Sequence, residues 1–450
     1  MKQLPTEFVE RMKVLLGSDY PLYYEAVNSQ PVRAYRINTN KISVSDFLTL
    51  GQLAGERIPY CDTGFYLSED KIGSHPFFRA GMIYVQEPAA MMPVECVDID
   101  PDWCVLDMCA SPGGKSSQIR NKLNENSVLV SNEIVPSRCK VLTGNIERMG
   151  FRNTVTTCLD TDRLAALFPK TFDFVCVDAP CSGEGMFRKD DTAVSEWSYS
   201  NVLKCAERQK AILENAAKCV KDGGTVLYAT CTFSLEENEC VIDDFLCRHP
   251  EFELVRVSKA VEDSTLDGIE FDGCLTKDIK LCRRFYPHIG KGEGQFAAVL
   301  RNTVTGVTEH RAELRPNQKA DRAVLDFLSD ILTDFDPSHI MKNKDTPVYF
   351  TPDFTVPDKT AFSLGVTIGE IRKGYIQPHH QLFSALGHRF KRKLELAPDS
   401  DELAKYFRGE SFNCECENGW AVVTVCGCAV GGVKVVGGVA KNHYPKGLRA

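Results

Sequence analysis

The fold is decided by residues 103–115, which read W-C-V-L-D-M-C-A-S-P-G-G-K. Val105, Leu106 and Met108 are typical of a buried parallel strand, and the Pro-Gly-Gly at 112–114 requires a turn before a helical pattern begins. Open α/β sheets bind nucleotides at such junctions, because glycines admit a close ligand and helix-start N–H groups suit polar ligand groups. The glycine spacing matches neither a dinucleotide fingerprint nor a P-loop, so this stretch alone leaves the ligand open.

Strands and helices alternate regularly on the C-terminal side of this junction. Apolar runs predict further strands at 128–131, 154–158, 172–177 and 225–229. Helical spacing predicts helices at 115–123, 136–149, 161–168 and 200–220. We therefore predict an α/β fold whose Rossmann-like, mostly parallel sheet carries helices on both faces.

Three acids follow successive predicted strands: Glu133, Asp160 and Asp178. Because the carboxyl ends of parallel strands meet at one edge, these acids should lie beside the 112–114 loop. The first is placed to bind ribose hydroxyls and the second to meet an adenine edge. One such acid is usually a helix cap or a solvated loop residue, but three indicate a nucleoside-type cofactor. Asp107 lies near the same edge, where it can orient the loop.

Two cysteine motifs follow the fourth and fifth predicted strands. The first is D-A-P-C-S-G at 178–183, and the second is T-C-T-F-S at 230–234. A cysteine inside an apolar strand is usually structural, whereas one just past a strand end among polar residues is accessible and ionisable. Cys181 and Cys231 should therefore meet beside the cofactor.

A nucleoside cofactor, an acid and two thiols fit methylation of cytosine at C5. This carbon becomes nucleophilic only after a thiolate adds to C6, and the thiol is eliminated once a base removes the C5 proton. A carboxyl group beside N3 and N4, here Asp178, would stabilise the activated ring. The chemistry gives work to both Cys181 and Cys231 but does not decide which of them attacks.

The 450-residue chain has an ordinary soluble composition, with 43% apolar and 25% charged residues. It contains no apolar run of the roughly 20 residues that a membrane span needs, and residues 1–5 lack the apolar core of a secretory signal. We therefore expect a cytoplasmic protein without a membrane partner. The 19 cysteines then form no disulfide framework, and most are expected to be small buried hydrophobes.

The net charge of −8 argues against a nucleic-acid partner, but the basic residues are unevenly placed. Residues 371–393 contain six basic side chains, three histidines and no acid, and residues 418–450 also lack acids. A basic cluster is usually a solvated face. Two acid-free stretches in an acidic protein make RNA binding about as well supported as a solvated face. Three basic residues in a predicted strand at 32–41 lie either on a solvated edge or against RNA backbone.

The C-terminal stretch also contains two C-x-C pairs, Cys414/Cys416 and Cys426/Cys428. Zinc ligands prefer C-x₂₋₄-C spacing, whereas C-x-C on a strand merely places two side chains on one face. We predict no metal site. We predict instead that residues 417–419 form the turn between two strands that carry the pairs.

Several motifs together resemble those of the S-adenosylmethionine-dependent RNA cytosine-C5 methyltransferases. They are the C-A-S-P-G-G-K at 109–115, the cysteine motifs at 178–183 and 230–234, the Y-V-Q-E-P at 84–88 and the R-I-N-T at 36–39. The chain is most similar to the bacterial branch that modifies small-subunit ribosomal RNA and carries a PUA-like α+β RNA-binding domain. Its N-H-Y-P-K-G-L-R ending at 442–449 is similar to that branch's ending. The resemblance covers nearly the whole chain and is weakest between about 300 and 370.

The resemblance implies a set of cofactor-binding residues. They are Cys109, Ala110, Ser111, Pro112, Gly113, Gly114, Lys115, Glu133, Arg138, Asp160 and Asp178. Within this set the 109–115 loop would hold the methionine and ribose part of S-adenosylmethionine. Glu133 would take the ribose hydroxyls and Asp160 the adenine.

The resemblance also implies the catalytic roles. Cys231 would attack C6, Cys181 would assist release, and Asp178 would face both cofactor and cytosine, with Lys115 hydrogen-bonded near it. The DNA cytosine enzymes swap the two cysteine roles. We further expect Arg188 or Lys189 to contact substrate phosphate, and the basic loop at 282–294 to hold substrate.

By this resemblance the chain divides into an N-terminal RNA-binding module (1–78), a catalytic domain (79–302), a connecting domain (303–370) and a PUA-like RNA-binding domain (371–450). The expected partner is ribosomal RNA, either free or within the small subunit, and not DNA; we expect a monomer. Transfer RNA is the alternative substrate. A catalytically silent RNA-binding assembly factor is the alternative of another class, but such a relative would be expected to lose Cys231, Asp178 or the Gly113-Gly114 turn, and all are present.

Overall fold

The structure, a computed structural model, describes residues 4–53, 55–68, 72–306, 321–343, 345–351, 354–356, 360–373 and 375–449. The N-terminal elements are α1 (Thr6–Leu16), α2 (Tyr20–Asn28), β1 (Arg33–Ile37), α3 (Val44–Thr49), β2 (Arg57–Ile58), β3 (Cys61–Leu67), α4 (Pro76–Arg79) and β4 (Ile83–Val85). The four strands form an antiparallel sheet in the order β2-β3-β1-β4. This sheet is the core of the N-terminal part.

The central part carries the largest sheet. Its elements are α5 (Met92–Glu95), β5 (Val105–Asp107), α6 (Gly114–Lys122), β6 (Leu129–Asn132), α7 (Pro136–Met149), β7 (Thr154–Thr157), α8 (Thr161–Leu167), β8 (Phe172–Asp178), α9 (Asp191–Glu196), α10 (Tyr199–Cys219), β9 (Val220–Thr230), α11 (Glu239–Arg248), β10 (Phe252–Leu254), α12 (Lys259–Glu262), β11 (Leu266–Asp267), β12 (Arg283–Phe285) and β13 (Gln295–Asn302). The strands from β5 to β9 run parallel, which confirms the predicted fold class.

The C-terminal part contains α13 (Arg322–Ile331), β14 (Ile340–Asn343), β15 (Thr346–Tyr349), β16 (Ala361–Leu364), β17 (Val366–Thr367), β18 (Gly369–Arg372), β19 (Tyr375–Pro378), α14 (His380–Leu386), β20 (Lys393–Glu395), α15 (Asp401–Arg408), β21 (Phe412–Asn413), β22 (Gly419–Val425), β23 (Cys428–Val436) and β24 (Val439–Asn442). A five-stranded sheet of order β20-β22-β23-β24-β21 forms its end, and β16 instead joins the central sheet in the order β11-β12-β13-β9-β8-β5-β6-β7-β16.

The point in the central sheet where a ligand is expected to bind is the carboxyl end of β5. This strand is fully buried and pairs in parallel with β6 on one side and β8 on the other. The chain first moves outward through β6 and β7 and then crosses back to β8 and β9, so the direction of strand order reverses at β5. Open α/β sheets bind ligands in the crevice at such a switch point. The loop that the sequence singled out follows β5 directly.

One predicted strand is shorter in the structure. The strand predicted at 32–41 ends at Ile37, because the Asn38 side chain leaves it to donate to the carbonyl oxygens of Gly81 and Met149 at 2.7 and 2.9 Å. A 3₁₀ turn at 89–91 precedes the short α5, and another 3₁₀ turn continues α14 beyond Leu386.

The predicted hairpin turn at 417–419 is wrong. The hairpin of β22 and β23 turns at Cys426 and Gly427, which both have positive φ, of 48° and 74°. Asn418 instead precedes β22, and its side-chain oxygen accepts from the N–H of Gly437 at 2.8 Å. All four cysteines of the C-x-C pairs nevertheless pack in or against one hydrophobic core. Among the described residues no group of three metal-type side chains converges.

The four-part division of the chain stays a prediction. β4 completes the N-terminal sheet, so a boundary after residue 85 rather than 78 would keep that sheet in one unit. β16 belongs to the central sheet although it follows residue 302. Among the described residues, no helix combines the length and apolarity that crossing a bilayer requires.

Candidate active site

The loop that follows β5 is fixed from both sides. Gly113 has a φ of 111°, which favours glycine, and it caps the N-terminus of α6. The Asn145 side-chain amide donates to the Pro112 carbonyl oxygen at 2.9 Å. Arg138 donates to the Ser111 carbonyl oxygen at 3.1 Å, and the Ser111 hydroxyl donates back to the Arg138 carbonyl oxygen at 3.2 Å. The predicted cofactor loop is thus a rigid turn at the switch point.

Arg36 joins the N-terminal sheet to this loop. Its guanidinium donates to the Gly114 carbonyl oxygen at 2.7 Å, to the Ser117 hydroxyl at 2.6 Å and to the Gln86 side-chain oxygen at 2.7 Å. Lys41 also makes hydrogen bonds within the protein, because its Nζ donates to the carbonyl oxygens of Ala80 and Ala429 at 2.7 and 2.9 Å. The alternative that these basic residues contact RNA is therefore wrong for Arg36 and Lys41.

The predicted acids line the same edge. Glu133 is buried, and its Oε2 lies 3.4 Å from Arg138 Nη2, which links it to the loop. Asp160 caps α8, because its Oδ1 accepts from the Arg163 N–H at 2.8 Å. Asp107 is fully buried, and burial raises its pKa to about 7 although the Ser116 hydroxyl donates to it at 2.6 Å.

Lys115 and Asp178 form an ion pair across the edge, with Nζ 2.8 Å from Oδ2. The lysine side chain is 6% exposed and the aspartate 34%. Burial opposes the charge of Lys115, but the attraction of Asp178 outweighs it and the pKa of Lys115 is raised. The expected contact is confirmed, and Asp178 keeps an accessible surface while its orientation is fixed.

Cys181 and Cys231 meet beyond the ends of the adjacent parallel strands β8 and β9. Their Sγ atoms lie 3.2 Å apart, and the Gly185 N–H donates to the Cys231 carbonyl oxygen at 2.8 Å. The hydrogen bond with Cys231, together with burial, raises the pKa of Cys181 well above that of an ordinary thiol. This contact and burial therefore favour the protonated form of Cys181.

Two buried carboxyl groups that the sequence did not single out tie the cysteine motifs together. Glu184 accepts from the Thr232 hydroxyl at 2.9 Å and from the Phe233 N–H at 3.0 Å. Glu237 accepts from the Ser182 N–H at 2.9 Å. Each acid thus holds a neighbour of a cysteine. Glu184 directly follows the D-A-P-C-S-G motif, which is the only signal in the sequence that could have marked it.

Known proteins match this chain along its length. A model of the 16S rRNA methyltransferase RsmB/F family matches residues 95–301, the N-terminal domain of RsmF matches 4–88 and the RsmF PUA domain matches 393–450. Ribosomal RNA small subunit methyltransferase F from Vibrio vulnificus is 33% identical, over 99% of this chain and 97% of that protein. The same enzyme from Erwinia tasmaniensis is 31% identical, over 99% and 96%. The chain belongs to this family.

Two solved structures share the fold of this chain. A methyltransferase homolog from Pyrococcus horikoshii is 28% identical, with a TM-score of 0.58 over 66% of this chain and 95% of that one. NSun6 from the same organism, solved with the ligand SFG, shares the fold with a TM-score of 0.56 over 67% and 99%, at 22% identity. The chain is an S-adenosylmethionine-dependent methyltransferase with a C-terminal PUA domain.

The residues at the switch point fit that cofactor. S-adenosylmethionine presents hydroxyl, amino and sulfonium groups, which suit an acid-lined site. Asp107 Oδ1 is buried and has no hydrogen-bond partner among the described residues. A buried acceptor without a partner is what a polar ligand would complete.

Some basic residues expected to bind substrate are structural in this family member. Arg188 is 6% exposed at its side chain, and its Nε lies 2.8 and 3.0 Å from the two carboxylate oxygens of Glu293. Lys189 lies 3.3 Å from the same acid. In the 282–294 loop, Arg283 and Arg284 are buried in β12. The alternative that Arg188 contacts substrate phosphate is therefore wrong, because its guanidinium is already satisfied within the protein. The guanidinium groups of Arg283 and Arg284 in the 282–294 loop are likewise hydrogen-bonded within the protein.

Proposed function

We propose that this chain methylates C5 of a cytosine in small-subunit ribosomal RNA through a covalent bond between Cys231 and C6. The observation that carries the proposal is the 3.2 Å contact of two thiols beside the switch point. An amino-group methyltransferase needs no covalent nucleophile, so a pair of thiols would have no role in its reaction. The relatives are named as methyltransferases of small-subunit ribosomal RNA, which supports the choice of substrate.

The reaction assigns a separate task to each thiol. Cys231 attacks as the thiolate, a C6–S bond forms, and electron density moves to C5. S-adenosylmethionine supplies the electrophilic methyl group that C5 takes up. Once Cys231 is bound to carbon, Cys181 loses its proton to water and the resulting thiolate removes the C5 proton. The C5–C6 double bond re-forms, the C6–S bond breaks and Cys231 leaves as the thiolate. The balance is methyl for hydrogen at C5, with one proton released.

Asp178 and Lys115 serve the ring during this sequence. Attack at C6 is favoured when N3 takes up a proton from water, and a fixed carboxylate stabilises that protonated ring by accepting hydrogen bonds from N3–H and N4–H. N3 returns the proton to water when the product is released. Lys115 Nζ lies 2.8 Å from the Asp178 carboxylate, and the burial of the lysine side chain fixes its position. In this assignment Asp178 is the group that contacts the base, and Lys115 orients it.

Glu133 is proposed to hold the ribose hydroxyls of the cofactor, with Arg138 and the 109–115 loop around it. Replacing Glu133 with Gln removes the charge that strengthens those hydrogen bonds, each of which contributes about 1.5–3 kcal/mol. We expect the KM for S-adenosylmethionine to rise roughly 10- to 100-fold with kcat nearly unchanged at saturation. Initial rates at varied cofactor measure both. Glu147→Gln, which changes a half-buried carboxyl near the end of α7, is the matched control; equal effects of the two variants would contradict the assignment.

The PUA domain offers the best candidate surface for RNA. Trp420, Lys434 and Lys441 lie side by side on β22, β23 and β24 and line a cleft of about 580 Å³. Lys434 and Lys441 are exposed cross-strand partners, and like charges placed opposite each other destabilise a sheet. An anionic partner would remove that repulsion. RNA phosphate is such a partner, and Tyr375 at the rim is 57% exposed and can stack on a base.

The Lys434→Ala/Lys441→Ala double variant tests this surface. Each phosphate contact contributes about 0.7–0.9 to the slope of log affinity against log salt, so we expect the slope to fall by roughly 1.4–1.8. Fluorescence anisotropy with labelled 16S RNA at several salt concentrations measures the slope. Lys405→Ala, an exposed lysine that pairs with Asp401 on α15, is the control. An unchanged slope in the double variant would place the RNA elsewhere.

The reaction is tested with purified protein and S-adenosylmethionine on 16S RNA, small subunits and transfer RNA. Bisulfite sequencing of each product reports cytosines methylated at C5. We expect conversion-resistant cytosines in the ribosomal substrates. Product only in transfer RNA would change the substrate, and methylation at another atom would overturn the mechanism. Binding without product in any RNA would favour a silent assembly factor.

A further inference from the structure

Four buried oxygens form a chain beneath the two cysteines. Ser182 Oγ lies 2.9 Å from Thr232 Oγ1, and Thr232 Oγ1 lies 2.9 Å from Glu184 Oε2. At the other end, Ser182 Oγ contacts Glu237 Oε1. Ser182 directly follows Cys181 and Thr232 directly follows Cys231. The chain therefore links one cysteine motif to the other.

Hydrogen counting shows that the two hydroxyls alone do not satisfy this chain. It contains three oxygen–oxygen contacts, and each contact needs one hydrogen between its atoms. Ser182 and Thr232 contribute one hydroxyl hydrogen each. Two ionised carboxylates contribute none, so one contact would join two bare oxygens in a buried site. The third hydrogen must come from one of the two acids.

The remaining hydrogen bonds decide which acid carries it. Both oxygens of Glu184 already accept an obligate N–H, from Phe233 at Oε2 and from Trp197 Nε1 at Oε1, at 3.0 and 2.9 Å. Glu237 accepts N–H groups only at Oε2, from Ser182 and from the Gln209 amide, both at 2.9 Å. Among the described residues its Oε1 contacts only the Ser182 hydroxyl, so it is free to carry a proton. The Gln209 orientation is fixed because the same amide donates to the Pro180 carbonyl oxygen at 3.0 Å.

We propose that Glu237 is held as the neutral carboxylic acid and is a positioning residue for the two thiols. Its O–H donates to Ser182, Ser182 donates to Thr232, and Thr232 donates to the ionised Glu184. One continuous run of hydrogen bonds then sets the distance between the Cys181 and Cys231 motifs. The positioning role rests on the proposed two-thiol function, whereas the protonation of Glu237 does not.

The surroundings of Glu237 favour the neutral form. Burial raises its pKa to about 7, and the negative charge of Glu184 acts in the same direction against the hydrogen bonds from Ser182 and Gln209. The other titratable groups that face it are Cys181, Cys205 and Tyr228, none of which is a cation. Within the described part of the chain no ion pair involves Glu237, whereas the buried acids Glu133, Glu239 and Glu293 each have a basic partner.

Conservative variants separate the two acids. Gln at 237 can donate to Ser182 through its amide and accept through its oxygen, so Glu237→Gln should recover most of the kcat that Glu237→Ala loses. Glu184→Gln should not rescue Glu184→Ala, because an amide brings donors to oxygens that already receive N–H groups. We expect the KM for S-adenosylmethionine to change less than twofold throughout, because the hydrogen-bonded residues belong to the cysteine motifs and their two acids and not to the 109–115 loop. Rescue at 184 but not at 237 would overturn the proposal.

Two readouts do not depend on activity. Between the ordinary pKa of 4.5 and about 7, the folded protein holds a proton that the unfolded chain lacks, so wild-type stability falls as pH rises through this window. Glu237→Gln removes the titrating carboxyl, so the Tm of the variant minus the Tm of the wild type should increase from pH 5 to pH 7. Parallel curves of Tm against pH for the two proteins would overturn the proposal.

Infrared spectroscopy of the wild type serves if the variant does not fold. The spectrum should show a protonated carboxyl C=O band that Ser182→Ala shifts, and a spectrum that Ser182→Ala leaves unchanged would also overturn the proposal.

Discussion

A Cys181→Ala protein incubated with RNA and S-adenosylmethionine is expected to run as a protein–RNA complex in denaturing gel electrophoresis. Without Cys181 the C5 proton stays in place after methylation, so the C6–S bond to Cys231 cannot be eliminated. The complex should accumulate to nearly one RNA per protein and should depend on the cofactor, because methylation precedes the blocked step. The fraction of shifted protein over time measures it.

Cys231→Ala is the matched control, since it removes a thiol 3.2 Å away from the same pocket. It should form no complex and lose methylation by at least about a thousandfold, as expected for a lost nucleophile. The double variant should behave like Cys231→Ala. Trapping through Cys181 in the Cys231→Ala protein would reverse the two roles. Trapping in neither single variant would remove the covalent step.

Loss of Glu239 is expected to reduce the free energy of unfolding by about 3–5 kcal/mol. Arg284 is 2% exposed and Glu239 is fully buried, with Arg284 Nε 2.6 Å from Glu239 Oε1. Glu239→Ala leaves the guanidinium buried without its counter-charge, and Arg284 also donates to the Phe233 carbonyl oxygen at 2.9 Å, two residues after Cys231. Activity should therefore fall with stability. Urea unfolding followed by fluorescence measures the change.

Glu262→Ala is the control for charge removal as such. Its partner Arg256 is 71% exposed and lies 2.9 Å away, so this surface pair should contribute only about 0–1 kcal/mol. Replacing both members of the buried pair, as in Arg284→Met/Glu239→Leu, should cost less than the sum of the single changes, because no charge stays unpaired. A cost for Glu239→Ala as small as that for Glu262→Ala would show that the buried pair is hydrated.

The strand-end residues of the site could be predicted because buried parallel strands are continuous apolar runs with ligand residues at their ends. Asp178, Cys181 and Cys231 follow such runs directly, so their convergence follows from topology. Glu184 and Glu237 could not be found in this way, since their hydrogen bonds join residues about 50 positions apart. The sequence likewise does not show whether a basic residue forms an ion pair with an acid inside the folded protein.

The strand β16 has a practical consequence for anyone who cuts this chain. It returns from beyond residue 302 to pair with β7, with Ala361 opposite Thr157 and Leu364 opposite Val155. A fragment that stops at the end of β13 would leave the N–H and C=O groups of β7 open along one side. Unpaired edges of this kind recruit strands from neighbouring molecules. Such a fragment is expected to precipitate during purification even though every cofactor and cysteine motif is present.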